Sequence, residues 1–318
     1  MAKFVPLTGC QKELWLSAKA ALSDYAETSI RGCYHIDAAL DPELLRQAIR
    51  CTLHFTPLPA ASLCQDEEEP CFMVGEPHEP DFRVLDAASQ PDSVAAADRM
   101  IDEFFEEPVE NPLIRYALVL TGPSTCIVAI KCSHVVLDGL AIFFHIAVIA
   151  NVYTALARGE TPNLGEPCPC DEAYIEDQAH CASPRFQKDM AFWQEHLARL
   201  PEKRLLRALP GRPDVLGESR HQKYVLSEKA SREAAALIAA HKVSPAVFFT
   251  SIYSLIVSFM SGEKEIVALA PVAYGERKVL YRRQGAMMSL PPLLVNVAAH
   301  DTFAGLLEAV SAQNGSFY

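Results

Sequence analysis

Ile127-Val128-Ala129-Ile130-Lys131-Cys132-Ser133-His134-Val135-Val136-Leu137-Asp138-Gly139-Leu140 is the stretch on which the reading of this chain turns. Its first half is rich in β-branched residues and predicts a strand. From Leu140 to Leu156 the pattern becomes a long apolar helix, and Asp138-Gly139 stands at its start. The first turn of a helix has backbone N–H groups without intrahelical partners, and an acid there is favourable. The segment therefore delivers His134 at the end of a strand, beside a helix N-terminus. An imidazole can take a proton near neutral pH. The N–H of Gly139 can face a developing oxyanion, because no side chain blocks close approach. Asp138 suits the helix start and could orient the loop through a salt bridge. A lone histidine before a helix also has a purely structural reading, and Asp-Gly is a common turn. Spacing alone leaves both open.

Working outward, helical periodicity is expected at 42–53 and 93–105, with β-rich runs at 29–36, 82–85, 116–120 and 126–131. Thr121-Gly122-Pro123-Ser124 carries turn residues, so the last two runs read as a hairpin. The first half is thus α/β with a mixed sheet. Residues 159–170 hold Pro162, Pro167, Pro169, Gly159 and Gly165, the composition of a crossover. Beyond it the pattern predicts helices at 185–199, 228–241, 245–260 and 302–313, and strands at 223–226 and 265–269. The expected organisation is an N-terminal lobe over 1–160, a crossover linker over 161–175 and a C-terminal lobe over 176–318.

The chain has 318 residues, 50% of them hydrophobic, enough to fill the cores of about two domains. Its formal net charge of −12 argues against nucleic acid as a partner, which demands a basic footprint. Ten scattered cysteines do not form a disulfide framework in a chain this long, and Cys168-Pro169-Cys170 reads as linker rather than a metal or redox site. No metal site is expected. No secretory signal is expected at the N-terminus. The longest apolar stretch, 140–152, contains His145 and Asn151 and is too short to span a bilayer, so no membrane partner is expected. These features predict a reducing, cytoplasmic location. His145, on the apolar helix, reads as a satisfied core histidine.

Ser133-His134-Val135-Val136-Leu137-Asp138-Gly139 resembles the His-His-x-x-x-Asp-Gly signature of nonribosomal peptide synthetase condensation domains. Other stretches agree in order: Pro6-Leu7-Thr8 with Gln11, Leu14 and Trp15; Leu40-Asp41-Pro42-Glu43-Leu44; Phe105-Glu106 through Pro112-Leu113-Ile114-Arg115; Phe192-Trp193; and Ile266-Val267 through Pro271-Val272-Ala273. The resemblance runs over essentially the whole chain. It implies an α/β fold of two chloramphenicol-acetyltransferase-like lobes, each a mixed β-sheet flanked by helices, with an active-site tunnel between them. The family's later motifs have no counterpart before Tyr318, which predicts a C-terminally truncated domain.

The resemblance implies roles residue by residue. His134 matches the central histidine, base or positioner for an attacking amine, and Gly139 the glycine whose amide faces the oxyanion. Asp138 matches an aspartate that pairs with an arginine, expected at Arg277. Ser133 replaces the family's first histidine and is structural, and Ser289 replaces an asparagine on the substrate side. The segment 54–63 also departs from the family pattern. The implied reaction joins an acyl or aminoacyl thioester on an upstream carrier protein to the amine of an aminoacyl thioester on a downstream one. The domain itself would bind no cofactor; phosphopantetheine would be carried by the acyl or peptidyl carrier proteins, with an adenylation domain adjoining. A siderophore assembly line is one such setting. Two alternatives stand beside this: a freestanding acyltransferase with a soluble amine or alcohol acceptor, and a catalytically silent docking domain between modules.

Overall fold

The structure is a computed structural model that describes residues 2–20, 29–64, 69–76, 79–107, 109, 111–201, 224–273, 281–283 and 285–317. The chain divides into two compact units, the first of Met1–Phe186 with Ala273–Met288, the second of Gln187–Val272 with Ser289–Tyr318. Along the first run β1 (Lys3–Pro6), α1 (Gly9–Ala20), β2 (Ser29–Ile36), α2 (Pro42–Phe55), β3 (Ser62–Cys64), β4 (Cys71–Val74), β5 (Phe82–Asp86), α3 (Ser93–Glu106), β6 (Ile114–Gly122), β7 (Thr125–Ser133), α4 (Gly139–Ala157) and α5 (Glu172–Cys181).

The principal sheet of the first unit has the order β2-β7-β6-β5. It is mixed, because β5 pairs parallel to β6 while β6–β7 and β2–β7 are antiparallel. Successive side chains of a strand point to opposite faces. Cys126, Val128, Ile130 and Cys132 of β7 therefore join the core shared with α2 and α4. Ile127 and Ala129 join the second core, against α3. With helices on both faces the strand reads as a nearly continuous apolar run. Asp41 caps α2 by accepting from the N–H groups of Glu43 and Leu44, with Pro42 in the first turn. A smaller antiparallel sheet, β1-β4-β3, completes the unit.

By length and composition α4 could cross a membrane: it runs 19 residues, longer than the apolar stretch at 140–152. Its Ala141, Ile142, Val148, Ile149 and Val152 are nevertheless buried in the core with α2 and the sheet. His145, also fully buried, meets the Tyr116 hydroxyl through Nε2 at 2.7 Å. This is a core helix.

In the second unit, α7 (Glu228–His241), α8 (Pro245–Ser261), β8 (Glu265–Leu269), β11 (Pro292–Asn296) and α9 (Phe303–Gly315) follow most of α6 (Pro184–Ala198). Two short strands, β9 (Val272–Ala273) and β10 (Met288–Ser289), lie where the chain passes between units. β8 and β11 pair antiparallel. Over them Val247 and Phe248 of α8 and Leu306, Leu307 and Val310 of α9 build the core. Gln313 of α9 bonds both backbone groups of Leu294, accepting from its N–H at 2.7 Å and donating to its carbonyl.

Three expectations differ from what is observed. Tyr224–Leu226 forms no strand, and its side chains are 79%, 83% and 52% exposed. A short β-rich run marks a candidate strand, but a strand also needs a ladder partner, and none pairs with it among the described residues. The helix α5 falls in a region read as linker and its edge. It buries none of its residues, so it offers no apolar stripe for periodicity to detect. Charges hold it instead: Lys3–Asp171 at 2.7 Å, Arg282–Glu172 at 2.8 Å and Arg283–Glu172 at 3.1 Å. These contacts also keep residues 161–186 with the first unit. The passage into the second unit thus comes at 186/187 rather than over 161–175, and 273–288 returns to the first.

Candidate active site

β7 ends at Ser133, whose N–H donates to the Leu113 carbonyl at 2.9 Å. The Ser133 carbonyl then accepts from Val136 at 3.2 Å and Leu137 at 3.4 Å, which folds the following residues into a turn. Val135, Val136 and Leu137 are buried and anchor that turn in the apolar core. Between the strand and these anchors His134 is half-buried, and its Nδ1 is enclosed without a hydrogen-bond partner among the described residues.

Asp138 ends the turn at 3% exposure. Its Oδ1 accepts from the N–H of Leu140 at 3.0 Å and of Ala141 at 2.7 Å, capping α4. Its Oδ2 accepts from Met287 N–H at 2.9 Å. Ala286 N–H also donates to the Val136 carbonyl at 3.1 Å, so 286–287 lies bonded along the histidine turn. Both carboxylate oxygens of Asp138 thus accept from backbone N–H groups. Arg277 lies outside the described residues.

Gly139 occupies the first turn of α4 and is exposed. A Cβ built on it would meet nothing within 4 Å among the described residues. Ser133 is 7% exposed and sits in the β7 ladder opposite Ser29. Ser289 belongs to the second unit, half-buried in β10. The structure thus brings Ser133, His134, Asp138 and Gly139 together on one strand–turn–helix.

Sequence reasoning passed over a charged layer just upstream. Across β2, β7 and β6, Arg31, Lys131 and Arg115 stand in register. Lys131 is fully buried and donates to the carbonyls of Phe105, at 2.5 Å, and Glu107, so it satisfies acceptors at the end of α3. Burial, then the charges of Arg31 and Arg115, lower its pKa. Glu107, at the α3 C-cap, takes Arg83 through both oxygens, at 2.6 and 2.8 Å, and Arg115 at 2.8 Å. Those guanidinium groups, Arg83 first, hold its carboxyl at about 2. A lysine inside an apolar strand was the available signal, since it must find partners or shed its charge.

A condensation-domain profile matches residues 1–317. The chain is 25% identical over 312 residues to surfactin synthase subunit 1 of Bacillus subtilis (strain 168), covering 95% of this chain and 8% of that protein. It is 25% identical over 207 residues to enterobactin synthase component F of Shigella flexneri, covering 63% and 16%. It therefore spans only a small part of these curated relatives. Among solved structures, the first condensation domain of the calcium-dependent antibiotic synthetase superposes with a TM-score of 0.81 at 23% identity, over 99% of this chain and 75% of that one. A mutant starter condensation domain of rhizomide synthetase in complex with C8-CoA gives 0.84 at 22%, over 99% and 71%. These likenesses show the fold.

Proposed function

The chain belongs to the condensation-domain family, and from that premise we propose that it is an acyltransferase forming an amide bond between two carrier-bound substrates. The donor is an acyl or aminoacyl thioester and the acceptor the amine of an aminoacyl thioester. Each rides on the phosphopantetheine arm of a carrier protein, in an assembly line that makes a nonribosomal peptide.

The observation that carries this reading is His134 on its anchored turn beside the open start of α4. With Nδ1 enclosed, Nε2 is the nitrogen available to the substrates. The acceptor amine attacks the thioester carbonyl, and His134 takes a proton from the nitrogen as the new C–N bond forms. The carbonyl oxygen becomes an oxyanion, to which the Gly139 N–H donates at the positive end of the helix. The space where a Cβ would stand at Gly139 leaves that approach open. Collapse expels the pantetheine thiolate, which takes up the proton. Carriers that present amine and thioester together supply much of the rate through proximity, and proton handling by His134 adds about 10²–10⁴-fold. Ser133 and Asp138 hold the turn, and Arg277 supports it.

The test loads donor and acceptor carriers, follows the amide product by mass spectrometry, and compares wild type with a folded His134→Ala variant. Loss of about 10²–10⁴-fold supports the reading. Equal product from both removes His134 from the chemistry. Product with a soluble amine but not with a carrier-bound one points to a freestanding acyltransferase, and no product from either protein points to a docking domain.

A further inference from the structure

All ten cysteines are thiols, and two of them face each other: Cys64 of β3 and Cys71 of β4 are Cα partners in an antiparallel pair. Directly opposed residues of such a pair have Cα atoms about 4.5–5.5 Å apart. That lies inside the range of about 4.4–6.8 Å that disulfides span. Opposed residues also share one face of a sheet. In β4 the buried residues are Phe72 and Val74, while Met73 is 37% exposed. Cys71 therefore leaves the sheet on the side of Met73, and Cys64 leaves it on the same side. That face also carries Phe4 of β1, the partner of Met73, which is 62% exposed, so it is open to small reagents.

We propose that Cys64 and Cys71 are an oxidant-sensitive dithiol, a modification site at which a hydroperoxide closes one cross-strand disulfide. One thiolate attacks the peroxide: its S–O bond forms, the O–O bond breaks, and an alcohol (water, from hydrogen peroxide) leaves. The second sulfur attacks the sulfenic acid: the S–S bond forms, the S–O bond breaks, and water leaves. The two thiols give up two electrons and two protons, and the hydroperoxide is reduced. Thiolate is the reactive form, and burial pushes the Cys10, Cys132 and Cys168 thiols up to about 12. Cys168 also donates to Glu172.

The experiment treats the chain with hydrogen peroxide, alkylates remaining thiols and digests with a glutamate-specific protease and chymotrypsin. Glu67, Glu68 and Glu69 lie between the two cysteines, so cleavage after them leaves Cys64 and Cys71 on separate peptides unless a disulfide joins them. Expected is a joined pair that dithiothreitol releases, that persists in Cys51→Ser, and that is missing from Cys64→Ser. Alkylation of both residues after the other accessible thiols have been oxidised overturns the proposal. So does a link from Cys71 to any other cysteine in the wild-type chain.

Discussion

Asp138 is the residue at which the motif and the fold meet. One carboxylate oxygen caps α4 and the other holds Met287. Loss of a cap costs about 0.5–2 kcal/mol, and a buried N–H left without an acceptor costs about 1–3 kcal/mol. Asp138→Ala is therefore expected to lower stability by about 2–4 kcal/mol, read from the denaturant midpoint at unchanged slope. Asp138→Asn keeps an oxygen for the cap but turns an N–H₂ toward Met287 N–H, so its loss should be intermediate. Equal losses in the two variants would show that the cap contributes nothing, and an Asn variant as stable as the wild type would show the same of the Met287 bond.

At the scale of elements, carboxylates clamp charged ends to their neighbours. Glu107 ties the end of α3 to β5 and β6 through Arg83 and Arg115. Glu172 ties the start of α5 to Arg282 and Arg283. Both carboxyls fall from 4.5 to about 2, Glu107 through Arg83 and Arg115, Glu172 first through the Cys168 thiol and then through its arginines. Between those values the unfolded chain binds protons that the folded chain does not, so stability rises with pH across the window. Conversely it is lost as pH falls from about 4.5 toward 2. Urea midpoints measured above and inside the window should decline in the wild type. A Glu107→Gln, Glu172→Gln double variant should start lower and decline less. Parallel declines would exclude these two groups as the source.

Over the whole molecule, apolar surface is unevenly covered. On α8, Tyr253, Ile256, Phe259 and Met260 are 65%, 47%, 91% and 59% exposed. Apolar residues grouped on a surface promote association. Replacing Phe259 and Met260 together with serine should reduce binding of a hydrophobic dye and self-association on gel filtration. The stability change should stay within about 0.5 kcal/mol per site, as for exposed positions. Unchanged dye binding would place the apolar surface elsewhere.

By itself the sequence determined the elements whose patterning is local. β-Rich runs laid down β2 and the β6–β7 hairpin, 3.6-residue periodicity laid down α2, α3 and α4, and Ser133 to Gly139 carried the whole strand–turn–helix around His134. Neighbours in the chain set these features, so they are written in consecutive residues. Only the tertiary structure decided what depends on partners far along the chain. It bonded Asp138 to the distant Met287 N–H, seated the buried Lys131 on the end of α3, set Cys64 opposite Cys71, and built α5 on ion pairs. Among the described residues it also left Tyr224–Leu226 without a ladder. A hydrogen bond or ion pair needs a distant group at a particular distance and angle, and no local periodicity records where that group will be.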